Sequence, residues 1–199
     1  MSNRARAFVA LRLGPALGRR ALEVVAADLA DRSLRPVRAE GLHLTLAFLG
    51  EVERERAGAI ARALAKKLAG AASPELELDG TGAFPRPGRE RVLWMGVVER
   101  PGTEGRLEDL HRRVLRALES AGWDTQGEAK DPGKPLRAHV TLARVRAGRG
   151  GVAPVPESFY AARLGLPWSP DEVALVESVR RGSGPPHYEP LERFPLERD

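Results

Sequence analysis

A tetrapeptide of histidine, an apolar residue, threonine and leucine occurs twice in this chain, and the two copies lie about half a chain length apart. The first copy is HLTL at His43 to Leu46, and the second is HVTL at His139 to Leu142. Each copy alternates polar and apolar residues. In a β-strand, His and Thr would therefore share one face while the apolar residues occupy the other. The repeat predicts two matched strands, each presenting an imidazole beside a hydroxyl.

Two imidazoles that face one groove provide the groups that hydrolysis of a phosphodiester requires. One ring can take a proton from water while the other protonates the departing ribose oxygen, and histidine titrates near neutral pH. We therefore predict that His43 and His139 are catalytic. Thr45 and Thr141 are predicted to bind substrate by donating hydrogen bonds to non-bridging phosphate oxygens. Because a strained cyclic phosphate is reactive, we expect neither a metal nor a cofactor.

The hydrophobic pattern of the chain predicts three helices and eight strands. Spacings of three and four residues indicate helices, whereas alternation and short apolar runs indicate strands. The predicted helices are Ala16 to Arg32, Glu53 to Ala69 and Thr103 to Ala121. The predicted strands are Ala5 to Leu13, Leu42 to Leu49, Glu75 to Ala83, Arg91 to Val98, Arg137 to Val145, Phe159 to Leu164, Asp171 to Arg180 and Tyr188 to Leu196. This order, without a long linker, predicts an α+β or mixed α/β fold.

Composition narrows the class of protein. The absence of cysteine excludes disulfides, thiolate catalysis and Cys-rich zinc sites. The 32 basic and 27 acidic residues give a net charge of +5, which favours an anionic partner, although an Arg-biased composition would give the same balance. No apolar run reaches the roughly 18 residues that span a bilayer, and no secretory signal core is evident. A cytoplasmic location without membrane contact is therefore expected.

Basic residues in two loops and in one strand are candidates for contacts with phosphate or RNA. These residues are Arg86, Arg89, Lys130, Lys134, Arg137 and Arg144. Charged loops are usually only solvated, so the motif residues remain the stronger candidates. Arg144 follows Leu142 by two residues and is expected on the buried face unless the strand bulges. Phe48 shares the parity of the neighbouring leucines and is expected to pack in the core.

The remaining histidines and two tryptophans are expected to be structural. His111 falls on the apolar face of the third helix, where a hydrogen-bonded core position is the expectation. His187 lies in a predicted turn between proline and tyrosine. Trp94 and Trp123 are expected to pack in the core and at a helix end.

Longer segments around the two motifs resemble one protein family. These segments are LHLTLAFLGEV at Leu42 to Val52, GAFPRPGRERVLWMGV at Gly82 to Val97, HVTLARV at His139 to Val145 and YEPLERFPL at Tyr188 to Leu196. On these residues the chain resembles the two-histidine (2H) phosphoesterases, in particular the RNA 2′,3′-cyclic phosphodiesterases, also called 2′-5′ RNA ligases. One departure is Ala138, because many members carry proline before the second histidine.

The resemblance implies a single domain over residues 1–199, with two similar lobes related by a pseudo-twofold axis and one motif from each lobe in a central cleft. It implies opening of RNA or nucleotide 2′,3′-cyclic phosphates to 2′-phosphomonoesters. It also implies that His43 donates a proton and that His139 accepts one. The expected partner is RNA with such an end or a cyclic nucleotide, and the expected state is a monomer.

Three alternatives stay open on the sequence. Microscopic reversibility allows 2′-5′ joining of RNA ends as the main task, because the same active site catalyses both directions. A different 2′-5′ or ADP-ribose cyclic phosphate could be the substrate. A non-catalytic RNA- or nucleotide-binding module would keep the cleft without turnover.

Overall fold

A computed structural model describes residues 3–30, 34–123, 136–145, 155–180 and 186–198 of the chain. The strands are β1 (Arg4–Arg12), β2 (Leu34–Pro36), β3 (His43–Glu53), β4 (Leu76–Phe84), β5 (Val92–Glu99), β6 (His139–Val145), β7 (Leu166–Trp168), β8 (Glu172–Val179) and β9 (His187–Pro195). The α-helices are α1 (Pro15–Val24), α2 (Arg54–Leu68), α3 (Arg106–Ser120) and α4 (Glu157–Ala161), and residues Ala39–Gly41 form one 3-10 turn. The loops predicted at Asp124 to Pro135 and Ala147 to Gly151 lie outside the described residues.

The described strands join one antiparallel sheet in which the two motif strands are neighbours. The order across the sheet is β7-β4-β5-β6-β3-β1-β8-β9, and β2 pairs additionally with β6. At the centre, β3 and β6 meet through one residue pair, Leu44 opposite Val140. Strands in one antiparallel sheet with separate flanking helices confirm the predicted α+β class.

The sheet divides at the β3–β6 junction into two groups of strands, and neither group is one half of the sequence. One group contains β6, β5, β4 and β7, and the other contains β3, β1, β8 and β9. The strands β4 to β7 are consecutive in the chain, with only the short β2 added from its early part. The other group combines β1 and β3 with the last two strands. One histidine motif comes from each group, as the pseudo-twofold arrangement requires.

Helices α2 and α3 cover one face of the sheet. Ile60 and Leu64 of α2 and Val114 of α3 have no exposed surface, and they belong to the same apolar cluster as Leu44 and Val140. Full burial of an aliphatic side chain contributes roughly 1.5–3 kcal/mol. The apolar residues of the motifs are anchored in this core, so the opposite face of β3 and β6 carries the polar residues.

The prediction of a strand at Phe159 to Leu164 is wrong, because helix α4 covers the first three of these residues and no strand includes the rest. Phe159 is fully buried, and a short apolar run does not by itself distinguish a buried strand from a buried helix. Pro156 precedes the helix, where a fixed φ and a missing N–H cost nothing.

Helix α1 ends at Val24, well before the predicted Arg32. Val25 and Leu29 nevertheless remain buried in the turns that follow. Their burial explains why the hydrophobic pattern continues past the end of the helix. Strands β2 and β7 have three residues each, which is too short for a periodic signal in the sequence.

Candidate active site

The four motif side chains line one cleft on the face of the sheet opposite the helices. Leu44, Val140 and Leu142 are fully buried, and the histidines and threonines between them are half-buried on the other side of the strands. The cleft has a volume of about 490 Å³, and its walls include His43, Thr45, His139 and Thr141. The alternation of the motifs and the pairing of their strands thus bring two imidazoles and two hydroxyls together.

Each imidazole is held by the backbone two residues before it. His43 Nδ1 lies 2.7 Å from the Gly41 carbonyl oxygen, and His139 Nδ1 lies 2.6 Å from the Arg137 carbonyl oxygen. Since a carbonyl oxygen only accepts hydrogen bonds, both Nδ1 atoms must carry a hydrogen. The neutral form of each ring therefore has its lone pair on Nε2, which is available to accept a proton.

Aromatic side chains from neighbouring strands contact each imidazole. The ring of Phe8 stacks on His43 with 4.6 Å between centroids, and the Tyr188 ring meets it edge-on at 4.9 Å. On the other side of the cleft, Phe84 meets His139 edge-on at 5.0 Å, and Trp94 lies 6.4 Å away. These contacts fix the ring planes and remove water from around the imidazoles.

Burial disfavours the charged form of both histidines. It lowers the pKa of His43 to about 4, with smaller contributions from the charges of Arg12, Arg144 and His139, while the bond to Gly41 opposes the shift. Burial also lowers the pKa of His139 below its ordinary value, aided by Arg144 and Arg137. Both rings are therefore mostly neutral at pH 7.

Each motif strand carries a β-bulge just after its threonine, and the two bulges lie at the same offset. Along β3, Thr45 and Ala47 face consecutive residues of β1, so Leu46 is the extra residue. Along β6, Thr141 and Ala143 face consecutive residues of β5, so Leu142 is the extra residue. An extra residue inverts the alternation of side chains beyond it.

These bulges correct the expectations for Phe48 and Arg144, the fifth residues after His43 and His139. Both side chains lie on the wall of the cleft. Phe48 is 54% exposed, so the prediction that it packs in the core is wrong. Arg144 leaves the buried face for the same reason, and its charge acts on both imidazoles.

Further cleft residues come from strands distant in the sequence. Arg6 of β1, Arg180 after β8 and Tyr188 of β9 lie on the same wall. Burial raises the pKa of Tyr188, and the charges of Arg144, Arg180 and Arg6 oppose that shift. The roles of Arg6 and Arg180 in the cleft were not predicted from the sequence. An arginine within the apolar strand β1 was the available signal.

Not every predicted basic contact lies in the cleft. Arg137 is exposed beside it, with its guanidinium 5.9 Å from the centroid of the Phe84 ring. Arg86 and Arg89 are exposed in the loop between β4 and β5 and are not part of the cleft wall that the structure describes. Lys130 and Lys134 lie outside the described residues.

The predictions for Trp94, Trp123 and His111 have different outcomes. Trp94 lies beside His139 rather than in the core, whereas Trp123 packs at the end of α3, with the Arg56 guanidinium 5.1 Å above its ring. His111 is half-buried and hydrogen-bonds the Leu46 backbone. Its buried Nδ1 has no partner among the described residues, so it is only partly satisfied.

Neither metal ligands nor membrane-crossing helices are found within the described ranges. No three or more His, Asp or Glu side chains there come together as a set that could hold a metal ion. Among the described helices, none combines the length and the apolar character that crossing a membrane requires.

Comparison with known proteins shows the family to which this chain belongs. Residues 13–94 match the family model described as LigT-like phosphoesterase. The RNA 2′,3′-cyclic phosphodiesterase of Thermus thermophilus is 36% identical over 83% of this chain and 77% of the relative, and that of Archaeoglobus fulgidus is 31% identical over 76% and 78%. The chain belongs to the LigT-like phosphoesterase family.

Solved structures share the fold over nearly the whole chain. The Thermus thermophilus protein TT0787 has a TM-score of 0.74 and 31% identity, with 96% of this chain and 97% of that chain covered. Escherichia coli LigT complexed with 3′-AMP has a TM-score of 0.71 and 26% identity, with 97% and 98% covered.

Proposed function

We propose that this chain is an RNA 2′,3′-cyclic phosphodiesterase that opens the cyclic end to a 2′-phosphomonoester without a metal. The observation that carries the proposal is the convergence of two imidazole-hydroxyl pairs on one cleft. Arg6, Arg144 and Arg180 surround this cleft with positive charge, which favours an anionic substrate. The names of the related phosphodiesterases support RNA ends as the substrate class.

The proposed reaction moves two protons and replaces one phosphorus–oxygen bond. Water attacks the phosphorus as Nε2 of one imidazole accepts its proton, and the bond from phosphorus to the ribose 3′ oxygen breaks. The other imidazole donates its proton to that oxygen. The Thr45 and Thr141 hydroxyls donate hydrogen bonds to non-bridging oxygens as charge develops there. Proton exchange with solvent then restores both rings.

We assign proton donation to His43 and proton acceptance to His139, following the family resemblance. Burial lowers the pKa of His43 to about 4, so without a bound anion this ring carries no proton on Nε2 to donate at pH 7. A bound phosphate would raise that pKa, because an opposite charge nearby stabilises the imidazolium. The donor role therefore requires that His43 becomes protonated together with substrate binding.

The test is incubation of the pure protein with 2′,3′-cyclic AMP and with an RNA bearing the same end, followed by identification of the product phosphate. We expect a 2′-phosphomonoester from both substrates, in the presence of EDTA as well. His43→Ala and His139→Ala should each lower kcat by about 10²–10⁴. Tight binding without any product would favour a non-catalytic binding module, and joined RNA ends would favour ligation as the main activity. Full loss of activity with EDTA would refute metal independence.

We also propose that residues 1–199 act as one domain of two similar lobes, as a monomer in the cytoplasm. The continuous sheet and the large apolar cluster that runs through both strand groups support the one-domain assignment. Sedimentation equilibrium at several concentrations tests the monomer, and a concentration-dependent mass would contradict it.

A further inference from the structure

A second depression continues from the catalytic cleft across β2 and the 3-10 turn. It has a volume of about 490 Å³, within the roughly 300–1,000 Å³ of small-molecule sites. Arg144, Arg180 and Tyr188 belong to the walls of both the cleft and this depression. The two form one channel, and we call the second part the arginine groove.

The arginine groove has an excess of positive charge. Its wall contains five arginines, Arg12, Arg35, Arg38, Arg144 and Arg180, against two carboxylates, Glu40 and Glu189. In the part of the chain that the structure describes, none of these five guanidiniums forms an ion pair, and Arg12 instead reaches the Glu40 carbonyl oxygen at 3.4 Å. Other described arginines, such as Arg54 with Glu177 at 3.0 Å, do pair with carboxylates.

The register of β2 places two of these arginines against each other. Arg35 lies directly opposite Arg144 in the antiparallel pairing of β2 and β6, and both side chains are exposed. Like charges directly opposite each other on neighbouring strands are destabilising. An anion between them would convert this repulsion into two charge-assisted contacts, and guanidinium groups match the oxygens of a phosphate.

The segment that carries Arg35 and Arg38 is fixed to the second motif strand. The Val37 N–H donates to the Leu142 carbonyl oxygen at 2.7 Å, immediately after Thr141. This segment is therefore held in a fixed position relative to His139 and Thr141 on the same strand. The short strand β2 acts as the link between the groove and the motif strand β6.

We propose that the arginine groove binds the nucleotide on the 5′ side of the cyclic end, with its phosphodiester held by Arg35 and Arg38. The inference rests on the proposed function, because it assumes that the cleft holds the terminal cyclic phosphate. An RNA chain carries one further negative charge one nucleotide upstream, whereas a cyclic mononucleotide has none. The groove thus makes the enzyme selective for RNA ends over free cyclic nucleotides.

The experiment compares kcat/KM for 2′,3′-cyclic AMP with that for a dinucleotide and a longer RNA with the same end. The wild-type protein should prefer both RNA substrates. Arg35→Ala and Arg38→Ala should each lower kcat/KM for RNA about tenfold and leave the value for 2′,3′-cyclic AMP within about twofold. The salt dependence for RNA should become weaker by about one charge per variant. Arg62→Ala, on the exposed side of α2, is the control of equal net charge and should change neither value.

The outcomes separate this inference from the proposed function. Turnover of 2′,3′-cyclic AMP reports the catalytic cleft alone, whereas the ratio between substrates reports the groove. Equal wild-type rates on both substrate classes, or equal losses in Arg35→Ala, would overturn the groove while the catalytic proposal stands. If no substrate is turned over, fluorescence anisotropy of a short RNA with a 2′-phosphate end decides, because unchanged binding in both variants would overturn the inference.

Discussion

The two histidines have the same sequence context but different surroundings. His43 lies between a stacked phenylalanine and a tyrosine edge, and burial depresses its pKa to about 4. Burial also lowers the pKa of His139, although this ring lies in a more open position than His43. The chemical division of labour between two identical side chains must therefore come from what surrounds each ring and from the bound substrate.

The depressed pKa of His43 predicts a specific loss of stability in acid. The unfolded chain binds a proton at its ordinary pKa of 6.5, whereas the folded chain resists protonation until about pH 4. Stability is therefore fully present above 6.5 and falls as the pH drops towards 4, by up to about 1.4 kcal/mol per pH unit. Urea unfolding at about pH 7 and about pH 5 should show a smaller loss for His43→Gln than for the wild type. Equal losses would contradict the shift.

The lowered pKa values of His43 and His139 predict an acidic pH optimum for the free enzyme. Catalysis needs one neutral and one charged imidazole, so kcat/KM should be bell-shaped and centred on the acidic side of 6.5. The kcat profile should lie at higher pH, because the bound phosphate stabilises the imidazolium. Steady-state kinetics across this range measures both, and coincident profiles would argue against protonation coupled to binding.

A substrate with an activated leaving group separates the donor from the acceptor. A 4-nitrophenyl phosphodiester releases nitrophenolate, which needs no proton, so loss of the donor should cost far less than on a cyclic phosphate. We expect His43→Ala to retain most of the wild-type rate on this ester and His139→Ala to lose it. The reverse pattern would exchange the two roles.

At the scale of elements, the sequence predicts the strands and helices wherever the pattern is long and regular. β3, β6, α2 and α3 lie within a few residues of their predicted bounds, because burial of one face imposes the period. The bulges could not be predicted from the sequence, because no residue type or spacing marks their positions. Each bulge nevertheless turns the following side chains, Phe48 and Arg144, to the other face of the sheet. The motif residues were therefore predictable and their neighbours in the cleft were not.

The contact between β4 and β5 behind His139 predicts that Gly82 cannot be enlarged. A Cβ at Gly82 would lie 2.3 Å from a ring carbon of Trp94, the residue beside His139. Gly82→Ala should therefore cost about 1–3 kcal/mol and lower kcat as Trp94 is displaced. Gly58→Ala is the control, because it lies in α2 with only a flexible arginine end nearby, and it should stabilise by about 0.5–1 kcal/mol. Chemical denaturation and kinetics measure both, and a stable, active Gly82→Ala would refute the contact.

At the scale of the whole molecule, the two strand groups share one apolar core. One apolar cluster includes Leu11 and Val173 of one group together with Leu76 and Leu93 of the other. The group of β1, β3, β8 and β9 combines both ends of the chain, and the consecutive strands β4 to β7 are joined by β2 from the early part. The arrangement with two lobes is therefore a symmetry of the sheet and not a division into folding units.

This shared core predicts a single cooperative unfolding transition. We expect the calorimetric and van't Hoff enthalpies to agree, and far-UV circular dichroism and tryptophan fluorescence to change together. Two separate transitions would indicate lobes that fold independently.

Strands β3 and β6 pair through one residue pair, Leu44 with Val140, and this weakest pairing of the sheet lies next to the two imidazoles. We expect the two strand groups to rotate slightly as rigid bodies about this pair, which would change the distance between the two imidazole rings. A phosphodiester that contacts both histidines would restrict this rotation. The distance between the two rings during catalysis would then be set by the bound substrate.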